Sequence, residues 1–287
     1  MPLVSIVDEL KAARTGGYAL PCFDAFCLTS AEGICEALEA RRAPGMLAIY
    51  SGVLDQPGWQ GLVAGARALV EETTVPVSLI LDHGASFEHC IRALHSGFSD
   101  VMYDGSKLPL ESNIATTRQV VAAAHAVGAG VEAELGLVGD GGTYQEFISR
   151  GEGLTDPAAA ERFVAETGVD FLAVAIGTAH GAYQGEPQLA LDLLAEIEAR
   201  VSVPLVLHGG SGLSEEQFRA AAAAAIGKIN IYTDLATEAG RRMVEAAGGD
   251  GASYAAMTTQ IREGFRDRCE YHLDLFGATG QADRARA

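Results

Sequence analysis

Three histidines in this chain stand just beyond apolar runs. Val75-Pro76-Val77-Ser78-Leu79-Ile80-Leu81 leads into Asp82-His83, Phe171 to Ile176 leads to His180, and Pro204 to Leu207 leads to His208. Each run reads as a buried strand. A charged or ionisable side chain is costly inside a core and useful at its rim. Three neutral imidazoles meeting at one point can hold a metal ion, and three protein ligands with one open position is the pattern of catalytic zinc. Asp82 adds a carboxylate beside that centre. Neighbours in an extended strand face opposite sides. A turn at the strand end would let His83 hold metal while Asp82 faces a substrate as acid or base. The alternative is a carboxylate that only orients a ligand. His89, His95, His125 and His272 fall in helical stretches or the tail and read as surface residues.

The elements that must bring these residues together alternate strictly. Strands are expected at 17–23, 45–50, 75–83, 100–103, 130–135, 171–176, 204–207 and 228–232. Helical spacing occupies the stretches between them, with Ser86 and Asp156-Pro157 as helix starts and Gly128 as a stop. Runs that are apolar on both faces imply a parallel sheet covered by helices. Eight strand–helix units in this length predict an α/β fold, a (β/α)8 TIM barrel with extra terminal helices. A doubly wound open sheet is the runner-up, but no Gly-x-Gly-x-x-Gly turn follows the first strand. In the barrel the site lies where strands end. That rule collects Asp24, Asp82, His83, Asp104, Glu132, Glu134, His180, His208, Asn230, Thr233 and Asp234. Of Glu132 and Glu134, one is expected to point into the barrel and the other away.

Two loops stand out. His208-Gly209-Gly210-Ser211-Gly212-Leu213-Ser214 is glycine-rich and ends at a helix start, so its free amides could hold a phosphate. Lys228 and Thr233 lie at the neighbouring strand, and the last two strands of such barrels often supply a phosphate site. Gly136 to Leu154 holds six glycines and is long for a compact domain, which points to function.

The totals bound the rest. The 287 residues, 48% hydrophobic and 20% charged, suit a single domain over 1–287 with a large core. A net charge of −18 argues against nucleic acid and anionic membrane surfaces as partners. The five cysteines form no Cys-x-x-Cys pair and read as reduced thiols. No apolar stretch is long enough to span a membrane, and the start lacks the pattern of a signal peptide. Together these features give the expectation of a cytoplasmic protein.

The chain resembles the class II, metal-dependent ketose-bisphosphate aldolases of the fructose-1,6- and tagatose-1,6-bisphosphate group. Leu81-Asp82-His83, Tyr103-Asp104-Gly105-Ser106, Val131-Glu132-Ala133-Glu134-Leu135-Gly136, Gly177-Thr178-Ala179-His180-Gly181, His208-Gly209-Gly210-Ser211-Gly212 and Lys228-Ile229-Asn230-Ile231 carry the resemblance, in order along nearly the whole chain. It implies one catalytic Zn2+ per subunit on His83, His180 and His208, with Glu134 and Asp104 as alternative ligands or orienting groups. Asp82 would be the acid/base at the aldehyde oxygen. Gly181, Gly209, Gly210, Ser211, Asn230 and Thr233 would hold dihydroxyacetone phosphate, with Lys228 near its phosphate. A monovalent cation near the Gly181 and Gly209 carbonyls and a homodimer or homotetramer are also implied. The activity implied is reversible cleavage of a phosphorylated ketose to dihydroxyacetone phosphate and an aldehyde. Breaking a carbon–carbon bond beside a ketone leaves an enediolate, whose charge a Lewis-acid ion stabilises. A Schiff-base mechanism would need a lysine at a strand end, and only Lys228 qualifies. The family usually has Asn at the place of Asp24, Ser or Thr near Tyr50, and a proton-transferring Glu where this chain has Gly142. Glu146 is the replacement expected for that Glu. The alternatives are a deoxy-ketogluconate phosphate or sulfonated ketose phosphate as substrate, a non-catalytic aldolase-like subunit, and a zinc hydrolase.

Overall fold

A computed structural model of the chain describes residues 3–143, 153–181, 183, 185–249 and 252–284. Eight parallel strands close into a barrel: β1 (Leu20–Asp24), β2 (Gly45–Tyr50), β3 (Val77–Gly84), β4 (Asp100–Tyr103), β5 (Gly130–Leu135), β7 (Phe171–Val174), β9 (Leu205–Leu207) and β10 (Ile226–Ile231). Their order around the barrel is β1-β10-β9-β7-β5-β4-β3-β2. Each coincides with a strand expected from the apolar runs. Two further strands of two residues each, β6 (Gly139–Asp140) and β8 (Ala179–His180), pair with each other above the barrel. Nothing in their composition announces them, because two residues are too few for a hydrophobic period.

The helix starts follow the local chemistry. Ser86 accepts from the His89 amide, Asp156 from Ala159, and Ser214 forms a reciprocal capping box with Gln217. Pro157 opens its helix at a first-turn position and Gly128, at φ +79°, follows the Leu110–His125 helix. The long tail helix, Tyr254–Leu275, packs on helices Leu28–Ala40 and Thr233–Gly248. There Gly33 faces the Arg262 carbonyl and Gly264 faces Ala239 so closely that neither position has room for a side chain.

The core has two compartments. The larger lies between sheet and helices. The smaller fills the barrel lumen with Leu20, Cys22, Met46, Ile80, Phe171 and Val206, and Ile6 and Leu10 of the leading segment close its lower end. The lumen also holds a buried carboxylate. Asp100 accepts from Ser5 Oγ at 2.6 Å, Ser78 Oγ at 2.5 Å, and the Ile6 and Gly130 amides at 2.9 Å. It ties the leading segment to β3, β4 and β5. Asp100→Ala leaves four donors without an acceptor and is expected to cost about 3 kcal/mol. A thermal melt should read this as a drop of roughly 5–10 °C, while an unchanged melting temperature would remove Asp100 from the stabilising network.

The cysteines are all free thiols; Cys22, Cys35, Cys90 and Cys269 are buried and Cys27 is exposed. His272 corrects the surface reading of the tail histidines. It is buried between Phe218 and Phe276, with Nε2 2.8 Å from Asp234. A tail that packs onto the barrel buries one face, and His272 sits on that face.

Candidate active site

At the C-terminal rim of the barrel, strand ends and loops enclose one cavity. Its wall includes Asp24, Asp82, His83, Asp104, Glu134, His180 and His208, and also Gly181, Gly209, Gly210, Ser211, Asn230 and Thr233. The three histidines predicted from the sequence meet there. One ring nitrogen from each lies within 4.8 Å of the others. His208 Nδ1 is 3.0 Å from His83 Nε2, and the three rings stand nearly perpendicular to one another. Ligand nitrogens about 2.05 Å from a tetrahedral ion are separated by roughly 3.3 Å, so the spacing suits three ligands of one metal. His180 reaches the cavity on the short strand β8, paired through Asp140 and His180 with β6, and does not extend directly from β7.

Asp82 and His83 both reach the cavity because the strand end is irregular. His83 has φ +47°, a left-handed conformation rare outside glycine, and the β3–β4 register shifts between Leu81 and Gly84. Ser51 Oγ donates to the His83 carbonyl at 2.5 Å and holds this turn. Asp82 Oδ1 accepts from Asn230 Nδ2 at 2.8 Å, and Oδ2 lies 3.8 Å from His83 Nε2.

The second nitrogen of two of the histidines is also engaged. His83 Nδ1 lies 3.1 Å from Asp104 Oδ2, and Asp104 in turn accepts from Ser106 Oγ at 2.6 Å. His208 Nε2 lies 2.7 Å from Glu132 Oε1, with both side chains fully buried. A carboxylate on the far nitrogen fixes the tautomer and orientation of a metal-binding imidazole. Asp104 therefore sits as an orienting group for His83, while Glu134 Oε2 lies 3.8 Å from the same ring. His83, Asp104 and Glu134 also form a second convergent donor set.

Two expectations need correction. Glu132 and Glu134 both point into the barrel, since residues two apart on a strand share a face. Glu132 lies one layer below Glu134. Its importance was legible in that spacing, because a carboxylate in phase with a rim residue must also point into the lumen. Lys228 is the second correction. It sits one layer below Asn230 on β10 and is fully buried, off the cavity wall. Its Nζ lies 2.7 Å from Glu132 Oε2 and donates to Asn230 Oδ1 at 2.6 Å. Two residues along a strand span roughly 6.6 Å, which takes Lys228 out of reach of a phosphate at the rim. Asn230, expected on the substrate, has both ends of its amide engaged between Lys228 and Asp82. Glu146 lies outside the described residues.

Gly209, at φ +71°, lets the chain pass directly over the Ala179 carbonyl, where a Cβ would collide. Tyr183 ties the same loops: its hydroxyl accepts from the Ala179 amide and donates to the Gly209 carbonyl, both at 2.7 Å. With Thr233 at a helix start, these turns line the cavity on the β9 and β10 side.

The electrostatics describe a site short of positive charge. Asp24, Asp82, Asp104, Glu132 and Glu134 crowd together, and among the described residues Lys228 is the one lysine or arginine paired with them. Burial, then the Asp104 carboxylate, push Glu134 up to about 8. Burial and Asp82 raise Asp24 well above the usual carboxylate range. Burial would lower the His83 imidazole, but Asp82, Asp104 and Glu134 outweigh it and push it up to about 10. His208, buried and facing the cationic His83 and Lys228, is lowered. Three convergent imidazoles within this excess of carboxylates fit a divalent cation.

The orienting role of Glu132 can be measured. In Glu132→Gln the amide oxygen can accept from His208 only by turning its NH2 towards Lys228, donor against donor. A 10–100-fold loss of zinc affinity is expected, read by competition with a chromophoric chelator. Wild-type affinity would exclude the role.

Comparison with known proteins agrees with this geometry. The family model described as fructose-bisphosphate aldolase class-II matches residues 4–281. A fructose-bisphosphate aldolase of Geobacillus stearothermophilus is 40% identical over 237 residues, 82% of each chain. A 6-phospho-5-dehydro-2-deoxy-D-gluconate aldolase of Halalkalibacterium halodurans is 37% identical over 287 residues, covering 98% of this chain and 99% of its own. The crystal structure of the YdjI aldolase from Escherichia coli K12 superposes with a TM-score of 0.88 at 32% identity, covering 98% of this chain and 99% of that one. The chain belongs to the class II fructose-bisphosphate aldolase family and is an aldolase of that class.

Proposed function

We propose that the protein reversibly cleaves a ketose phosphorylated at C1 into dihydroxyacetone phosphate and an aldehyde, with fructose and tagatose 1,6-bisphosphate as reference substrates. The observation that carries this reading is the pairing of a three-histidine centre with Asp82 on one cavity wall, beside the glycine-rich loop after β9 and the helix start after β10. His83, His180 and His208 would hold Zn2+, one ion per subunit. When bound, the ion supplies Lewis-acid stabilisation of the negative charge that develops on the ketose oxygens.

The chain's own residues supply the rest. Gly181, Gly209, Gly210, Ser211 and Thr233 bind the phosphate end. Asn230, locked between Lys228 and Asp82, aims the Asp82 carboxylate at the C4 hydroxyl. In cleavage Asp82 takes the C4 hydroxyl proton, the C3–C4 bond breaks, and its electron pair stays on the three-carbon fragment. C3 is then protonated to give dihydroxyacetone phosphate, the step assigned to Glu146. In condensation Asp82 returns the proton to the aldehyde oxygen. A monovalent cation beside the Gly181 and Gly209 carbonyls, a homodimeric or homotetrameric assembly and a cytoplasmic location complete the reading.

A second reading keeps the chemistry and changes the sugar. The Halalkalibacterium relative, named for a deoxy-gluconate phosphate, is almost as similar as the relative named for fructose bisphosphate. The test is a panel of ketose phosphates assayed for dihydroxyacetone phosphate release, with and without a chelator. Release that stops on chelation and returns with added Zn2+ supports the proposal. Chelator-resistant turnover, or hydrolysis without this product, would overturn it.

A further inference from the structure

One side of the cavity is not used by the residues assigned above. Asp24 ends β1, Phe26 follows it, Tyr50 ends β2 and Tyr232 follows β10, and these three strands are neighbours in the barrel. Five phenylalanine and tyrosine rings are exposed among the described residues, and three of them, Phe26, Tyr50 and Tyr232, line this one cavity. The Phe26 ring centroid lies 4.7 Å from Tyr232 and 6.4 Å from Tyr50, so the rings form a continuous face. An exposed apolar face rimming a pocket marks a surface that a ligand covers. Beside it Asp24 is 95% buried on the cavity wall, and its Oδ1 has no hydrogen-bond partner among the described residues. A buried acceptor of this kind is stabilised by a donor from a ligand.

Carboxyl groups outnumber lysine and arginine around this side. Asp24, Asp82, Asp104 and Glu134 line the cavity, and Lys107 is the only lysine or arginine described there. Lys107 follows β4, three strands away from β1. Aromatic faces carry the negative side of a quadrupole and attract C–H groups rather than anions. The C1 phosphate is already assigned, under the proposed function, to the β9 and β10 loops. A second anionic group beside Asp24 and the rings would meet carboxylates and, among the described residues, no lysine or arginine on that side.

We infer that the arc of Asp24, Phe26, Tyr50 and Tyr232 is the subsite for the aldehyde half, and that it selects an uncharged polyhydroxy aldehyde. The rings cover the C–H face of the sugar and Asp24 accepts from one of its hydroxyls. The preferred ketose then carries one phosphate, at C1, and no anionic group at its far end. This inference rests on the aldolase reading and narrows it.

The test separates the two. Proton exchange from dihydroxyacetone phosphate into deuterium oxide, on the zinc-loaded enzyme without aldehyde, reads the aldolase chemistry alone. Condensation with glyceraldehyde and with glyceraldehyde 3-phosphate reads the subsite. Exchange is expected, with kcat/KM favouring the neutral aldehyde by about tenfold or more. Exchange with preference for the phosphorylated aldehyde would overturn the inference and leave the aldolase reading standing; absence of both exchange and condensation would overturn both. Two variants sharpen the result. Asp24→Asn is expected to shift the ratio towards the phosphorylated aldehyde by about tenfold. Tyr50→Ala, at a position 43% exposed and so tolerant of truncation, is expected to raise KM for the neutral aldehyde about tenfold and KM for dihydroxyacetone phosphate less than about twofold. Equal rises in both KM values would overturn the assignment.

Discussion

Asp82→Ala is expected to lower kcat for ketose phosphate cleavage by roughly 10²–10⁴-fold and to leave zinc content near that of the unaltered protein. The two halves of this result come from the separate surroundings of two adjacent residues. His83 offers Nε2 to the histidine centre and is held on its other side by Asp104. Asp82 is held by Asn230 through one oxygen. Truncating Asp82 leaves His83, His208 and their carboxylate partners in place. It removes only the group to which proton exchange with the C4 oxygen is assigned. Asp82→Asn keeps the shape and one acceptor but cannot take the proton, so it should lose as much turnover as the alanine variant. Zinc content by atomic absorption and single-turnover cleavage read the two effects independently. An active Asp82→Ala would move the acid/base role elsewhere. Loss of zinc in Asp82→Asn would make Asp82 part of the metal centre.

Much of this is legible in the sequence, for physical reasons that also mark where legibility ends. The eight barrel strands are short apolar runs bounded by turn residues, and their burial on both faces leaves a clear mark in composition. The histidines could be placed because in a parallel barrel every strand end lies on one rim. Depth within the lumen was harder to read. Lys228 and Asn230 share a face, as do Glu132 and Glu134. Only the closed barrel shows that the lower member of each pair meets the other in a buried ion pair, Lys228 Nζ to Glu132 Oε2 at 2.7 Å. Cross-barrel partners come from strands nearly a hundred residues apart, and no local pattern encodes them. The aromatic arc was hidden for the same reason. Phe26, Tyr50 and Tyr232 are isolated rings in the sequence, and they become a surface only when β10, β1 and β2 lie side by side.

Glu132 joins the two functions. One of its oxygens orients His208, and the other pairs with Lys228, which fixes Asn230 and through it Asp82. Although burial disfavours the Lys228 ammonium, Cys22, Glu132 and Asp82 around it raise its affinity for the proton. The lysine thus stays charged within the barrel. A buried pair of this kind contributes little net stability, and breaking one side of it is costly. Its service here is geometric: His208, the proposed metal ligand, and Asp82, the proposed acid/base, are held by opposite ends of one network.

His208→Ala should therefore lose more than His180→Ala does, and in a second observable. Both substitutions remove one imidazole from the three-histidine centre, and each should lower zinc affinity and abolish cleavage at substoichiometric metal. His180 lies exposed at the cavity mouth on a two-residue strand, and its truncation is expected to change stability by less than about 1 kcal/mol. His208 is fully buried, between His83 and Glu132. Its removal leaves a cavity and takes the donor from Glu132 Oε1, so a loss of about 3 kcal/mol is expected beyond the loss of metal. Melting both variants in excess chelator, where zinc contributes nothing to stability, isolates that difference. A lower melting temperature for His208→Ala alone supports the network. Equal melting temperatures would mean that His208 serves only as a ligand and that Glu132 is held in place by Lys228 without it.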